Sequence, residues 1–367
     1  MYKKFFMGIA AMAALTLVSC SSDDLNSFSD NSSKNEAISF DGYLGRSAVA
    51  VNGTRGSVVD LNALKISSES DKKGFGVFGY YSTTDHSAPE QSFDANLFNN
   101  EQVTCPKDGS EWSYTSLKYW PAQGHIDFYA YAPYETGKTL NKKTSATSIT
   151  TTPTFDFTVA DNVADQTDLL WANAENQTKE KNSSNKVKFQ FAHALSRLGY
   201  TVKLKEASYE SVATITLKRI VLAGSANEAT KAFYKKGTID LSKAPSSEGL
   251  WTNQSSDKQN FNWSSSDKTL SNAGTKNPDN EYLFVIPQKF KTGSDQLYVI
   301  VEYTITYKDG SAKPTVSYKV SQQLSYDFEQ GKAYTINLTI GLTPIEFDAD
   351  VTGWDPITGT PIEIPLN

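Results

Sequence analysis

The chain has 367 residues and a formal net charge of −6, with no basic cluster. That excludes the phosphate-neutralising surface of a nucleic-acid binder. Its 19 Tyr, 19 Phe and 6 Trp stand among dense Ser, Thr and Asn, a composition that favours strands over helices.

The first element is N-terminal. Lys3 and Lys4 precede an uncharged run from Phe5 to Val18, the length of a signal-peptide core and too short to span a bilayer. The run leaves through Leu17-Val18-Ser19-Cys20, which resembles a bacterial lipobox. Residues 1–19 are therefore expected to be a lipoprotein signal peptide, with Cys20 the lipid-bearing first residue of the mature chain. A thiolate is the nucleophile suited to such alkylation, and each buried CH₂ of an acyl chain adds roughly 0.8 kcal/mol of membrane affinity. Residues 20–37 are polar, apolar-poor and without period, so they read as a flexible tether. The acidic Ser21-Ser22-Asp23-Asp24 beside Cys20 also resembles a surface-export signal. With Cys20 acylated, Cys105 is the remaining thiol. It reads as a small buried side chain, and no intrachain disulfide can form.

Beyond the tether the pattern is strands. "GFGVFGYYS" and "HIDFYAYAP" are aromatic-rich. "LYVIVEYTITY" puts Leu297, Val299, Val301, Tyr303, Ile305 and Tyr307 on one face, and "YTINLTI" does the same with Tyr334, Ile336, Leu338 and Ile340. Period 2 with one apolar face marks a half-buried antiparallel strand. Lys308-Asp309-Gly310-Ser311 reads as a hairpin turn. The charged, Asn-rich stretch 173–186 breaks the composition and places a boundary near 185. After it, the apolar parity flips across "AHALSR", so two strands are expected there with a bulge or turn between them. Residues 244–274 read as a long polar loop carrying Trp251 and Trp263.

Catalytic and metal signatures are missing. His86, His125 and His193 are far apart in sequence, and there is no HExxH, CxxC, GxSxG or phosphate-cradling glycine loop. No enzyme activity, no metal and no cofactor is expected.

Several phrases together resemble the fimbrillin-like (Mfa-like) lipoproteins. They are "WSYTSLKYWPAQGHIDFYAYAPY" (112–134), "DLLWA" followed by "KFQFAHALSRLGYTVKL", and "FEQGKAYTINLTI" with a late "VTGW". The resemblance runs in order from about Ile38 to Trp354. It implies an all-β fold of two tandem transthyretin-like antiparallel sandwiches, at 38–184 and 185–367. It also implies a structural or adhesive subunit of a type V-like surface pilus, in a stalk, anchor or tip role. In that family an arginine-specific protease removes a first strand, and a C-terminal strand from another subunit fills the opened groove. Strand addition of this kind restores the ladder and fills apolar pockets. Candidate cleavage residues here are Arg46 and Arg55, the only basic residues between Lys34 and Lys65. Arg46 is favoured, because cutting there releases "AISFDGYLG" as one strand. The candidate donor lies near 357–367, with Ile362, Ile364 and Leu366 on one face. The expected partners are other pilus subunits and, through the lipid, the outer membrane, with the chain exposed at the cell surface and in a fimbrium after assembly. The rival reading is a permanently lipid-anchored module that binds host glycan or protein, with Trp251 and Trp263 as stacking platforms. Against it stands their reading as a hydrophobic lid.

Overall fold

The computed structural model describes residues 37–44, 62–65, 74–83, 95, 97–109, 111–144, 149–182, 184–244, 249–252, 254–264, 266–278, 281–291, 293, 295–308, 315–342 and 346–353. The chain is all-β there, with one short helical turn at Tyr209–Val212 and a 3₁₀ turn at Val163–Asp165.

Three large sheets carry the architecture. The first has six strands in the order Ser39–Leu44, Lys186–His193, Leu170–Gln177, His125–Ala132, Phe75–Ser82 and Phe98–Val103. The second runs Thr275–Lys276, Ser196–Leu204, Lys332–Ile340 and Glu346–Gly353, with Leu283–Val285 also pairing Ser196–Leu204. The third runs Phe261–Ser264, Ala213–Ala223, Leu297–Tyr307 and Val316–Leu324. Most pairs are antiparallel, as expected, but two are parallel: Ser39–Leu44 on Lys186–His193, and Ser196–Leu204 on Lys332–Ile340. Parallel neighbours need a long connection, and here more than a hundred residues separate each pair.

The alternation expected in Leu297–Tyr307 and Lys332–Ile340 is present, with Val299, Val301, Ile336 and Leu338 all inside. The expected hairpin pairs Leu297 with Leu324 through to Ile305 with Val316. The aromatic strand His125–Ala132 departs from the half-buried pattern, because every residue is buried. Phe128 and Ala130 face one core while Tyr129 and Tyr131 face another. A strand packed on both faces has no polar face to show.

The expected boundary near 185 does not separate the sheets. Leu170–Gln177 and Lys186–His193 belong to one sheet and join at Leu170–His193 and Trp171–Ala192. The polar stretch supplies the end of one strand and the turn to the next. Asn182 Nδ2 donates to Gln177 Oε1 at 2.8 Å and to Thr178 O at 3.0 Å across that turn. The change of sheet comes at Ala194-Leu195, where the parity flips. There the His193 ring places Nδ1 3.0 Å from the buried Asp168 carboxylate.

Residues 244–274 are likewise not simply a loop. They contain the short strands Trp251–Thr252, Lys258–Gln259, Phe261–Ser264 and Lys268–Thr269. Two to four residues are too few to display a period.

Among the described residues, two large hydrophobic cores result, beside a small cluster of Val221, Ala223 and Ile300. One gathers Ile38, Phe40, Phe75, Phe98, Phe128, Phe189 and Phe191 on one face of the first sheet. The larger one joins the second and third sheets and reaches back to Phe78, Tyr131 and Trp171 on the other face of the first.

Candidate functional site

The feature that stands apart is the edge strand Ser39–Leu44. It lies parallel to Lys186–His193, with Phe40 opposite Val187 and Gly42 opposite Phe189. Its sequence "SFDGYL" alternates, and so does its burial: Phe40 and Gly42 are inside, whereas Tyr43 is exposed. Ile38, just before the strand, is also buried.

Phe40 occupies an aromatic socket. Its ring meets Phe98 at 5.3 Å and Phe128 at 5.5 Å edge-on, and Phe189 at 5.7 Å stacked. Tyr114 closes the socket at 5.5 Å. Aromatic pairs of this geometry add about 0.5–1.5 kcal/mol each beyond their burial. Gly42 sits in close approach, since a Cβ there would stand 3.1 Å from the Phe191 ring, which would have to give by a few tenths of an ångström. Along one face the strand thus sets a large buried ring and then a glycine in close approach against the sheet.

The beginning of the strand is fastened from two sides. Ile38 N donates to Lys118 O at 2.8 Å, and Ser39 N donates to Asn185 O at 2.9 Å. The Tyr114 hydroxyl donates to Ile38 O at 2.7 Å and accepts from Lys118 N at 3.1 Å. Burial is the chief cause that pushes this hydroxyl up to about 12, and the hydrogen bond to the Lys118 backbone opposes it. From Phe40 onward, among the described residues, only Lys186–His193 pairs with the strand. It is an edge strand carrying core side chains.

Of the residues singled out from sequence, Cys20, Arg46, Arg55, Ile362, Ile364 and Leu366 lie outside the described residues. Arg46 follows the last strand residue, Leu44, by two positions. Cys105 is buried as expected, with its thiol within 3.4 Å of Gly109 O and pushed up by burial.

Trp251 and Trp263 are placed as core residues, 9% and 3% exposed. Trp251 donates Nε1–H to Ala194 O at 2.7 Å, fastening the point where the chain changes sheets. Trp263 donates to Glu281 O at 2.9 Å and packs edge-on against Tyr200 at 5.0 Å. Trp251 borders an open cleft of about 920 Å³ with Tyr234, Gln288 and Asp327. The socket walls Phe98, Tyr114, Phe128 and Phe189 were not singled out from the sequence. Tyr114 and Phe128 lie in the aromatic stretch 112–134 and Phe189 in the alternating "VKFQF", but nothing in the local pattern joins them. Among the described residues, no cluster of His, Cys, Asp and Glu could hold a metal.

Comparison with known proteins places this fold. A fimbrial protein from Bacteroides vulgatus superposes with a TM-score of 0.66 at 23% identity, covering 87% of this chain and 100% of that one. At that identity the likeness speaks for the fold. A Bacteroides uniformis protein named for cell adhesion superposes at 0.45 with 18% identity, covering 87% and 99%. The tip fimbrial protein Mfa3 of Porphyromonas gingivalis does so at 0.34 with 12% identity, covering 77% and 95%. Both are too loose to carry an argument. No curated protein sequence matches. The family model described as fimbrillin-like matches residues 66–354, starting later than the Ile38 at which the sequence resemblance begins. That span is most of the chain, and the protein belongs to the fimbrillin-like family, a family of fimbrial proteins and not of enzymes.

Proposed function

We propose that this protein is a pilus subunit delivered as a lipoprotein through Cys20 and assembled by exchange of the strand Ser39–Leu44. One observation carries the reading. The strand is at a sheet edge, yet Phe40 is fully inside an aromatic socket. Removing it leaves open ladder groups and an apolar slot together, which is what a donated strand needs. The candidate donor spaces Ile362 and Ile364 as the first strand spaces Ile38 and Phe40, while Leu366 at the place of Gly42 would need the Phe191 ring to shift.

Trimming at Arg46, or alternatively at Arg55, is the proposed trigger. The sequence has two other arginines, Arg197 and Arg219. Arg197 stacks on Tyr282 with its guanidinium 4.5 Å from the ring centre. Arg219 forks onto Glu228 at 2.7 and 3.1 Å and reaches Glu302 at 3.1 Å. Arginine inside the fold is spent on planar contacts that lysine does not reproduce, which leaves the two early arginines as sites for a protease.

The test is assembly itself. The full chain cut at Arg46 by an arginine-specific protease is expected to build a ladder of oligomers that survives detergent without heating. The same chain ending at residue 356 is expected to stay monomeric after cutting. A ladder that persists without 357–367 removes that segment as donor. A cut chain that never assembles contradicts strand exchange.

A further inference from the structure

Native sheets guard their edges, because an open edge pairs with another chain. Most edges here are guarded. Phe98–Val103 has a register shift opposite Val77 and Gly79, Asn100 at φ +56°, and Glu101. Glu346–Gly353 carries Glu346, Asp348 and Asp350 in eight residues. Thr275–Lys276 and Lys268–Thr269 have two residues each, and Phe261–Ser264 has four.

Val316–Leu324 has none of these devices. It has nine residues, "VSYKVSQQL", without Pro, Gly, Asp or Glu. It pairs with Leu297–Tyr307 from Leu324 to Val316 with no register shift, and it ends the third sheet. Among the described residues, no strand covers its other edge. Its one charge is already matched: Lys319 Nζ lies 2.7 Å from Glu228 and 3.4 Å from Glu302. The strand is also firmly seated. Tyr318 stacks on Tyr303 at 5.1 Å, and Tyr318 and Val320 pack against the larger core. Such a strand offers its edge without leaving its sheet.

We infer that this edge is a lateral docking surface for a second copy of the same chain. The argument for that occupant is self-complementarity. Antiparallel pairing about a two-fold axis at Val320 sets Val316 opposite Leu324, Ser317 opposite Gln323, Tyr318 opposite Gln322 and Lys319 opposite Ser321. Apolar residues meet at the two ends and the centre, polar residues meet between them, and Lys319 does not face another charge. A two-fold contact uses the same patch on both copies and closes at a dimer. It is thereby distinct from strand exchange, which is head-to-tail and open-ended, and it does not depend on that reading.

The pairing makes a charge test available at one exposed position, Ser321. Ser321→Lys puts like charges opposite each other twice, and Ser321→Glu puts opposite charges together twice. In sedimentation velocity of the uncut full chain in mild detergent, the wild type is expected to form a concentration-dependent dimer. Ser321→Lys should weaken it by about fivefold and Ser321→Glu should tighten it by a similar factor, from two cross-strand pairs each. Equal circular dichroism and melting of the three proteins checks that the fold is unchanged. A chain that is monomeric at every concentration, or a dimer that ignores both substitutions, overturns the inference. So does an oligomer that continues past the dimer and does not respond to either charge.

Discussion

The two parallel strand pairs of this molecule make an instructive contrast. Lys332–Ile340 beside Ser196–Leu204 sits in the middle of its sheet, with Glu346–Gly353 on one side and Thr275–Lys276 and Leu283–Val285 on the other. Ser39–Leu44 beside Lys186–His193 sits at the end of its sheet and has one ladder neighbour along most of its length. Both bring together sequence-distant segments and both bury large apolar side chains. The difference is what holds the strand apart from its core contacts. In the central pair the backbone is tied on both sides, so opening it means opening the sheet. In the edge pair the aromatic socket does most of the holding, so the strand can open as a small unit.

The largest expected effects break that contrast from each side. Phe40→Ala should cost about 3–5 kcal/mol at the socket and Leu338→Ala about 2–5 kcal/mol in the central pair. They should differ in kind. Chemical denaturation of the Leu338→Ala chain should shift the whole transition. Phe40→Ala should instead free the first strand, read as early proteolysis after Leu44, while the second and third sheets keep their midpoint. If both substitutions move a single shared transition equally, the edge strand is not a separate unit.

A smaller effect comes with pH. In an unfolded chain a tyrosine hydroxyl titrates near 10, whereas Tyr114 in place is pushed up to about 12. A raised value means that the neutral form is favoured by the fold. Its contribution is therefore complete below pH 10 and is lost as pH rises from 10 to about 12. The start of the first strand, tied through Tyr114 to Ile38 and Lys118, should loosen in that window. Tyr114→Phe should lose about 1 kcal/mol at neutral pH, from its hydrogen bonds. It should also remove this tyrosine's share of the alkaline loosening, followed by proteolysis after Leu44 at stepped pH.

The sequence carried much of the fold and less of the site. Alternation located Leu297–Tyr307 and Lys332–Ile340, because each has one apolar face on a core. It could not say which strand lies beside which, since period 2 is blind to the partner. The parallel pairings were hidden for that reason. Residues 173–186 look like a linker from composition alone, but a hairpin at a sheet end is just as polar. "HIDFYAYA" conceals its alternation because both its faces are packed. Trp251 and Trp263 show the same limit at the site level: the sequence read their stretch as a long polar loop, whereas both are buried in short strands. Phe40 was legible as part of a strand, but its socket comes from residues 98, 114, 128 and 189, which nothing in the local pattern joins.

The most direct test of the central claim is hydrogen exchange of the full chain, read separately for Ser39–Leu44 and Lys332–Ile340. The account predicts that the amides of Ser39–Leu44 exchange through a local opening, faster than those of Lys332–Ile340, while the second and third sheets stay protected. Exchange of both strands together, at the rate of global unfolding, would contradict it: the first strand would then be an inseparable part of the body and not the piece exchanged in assembly.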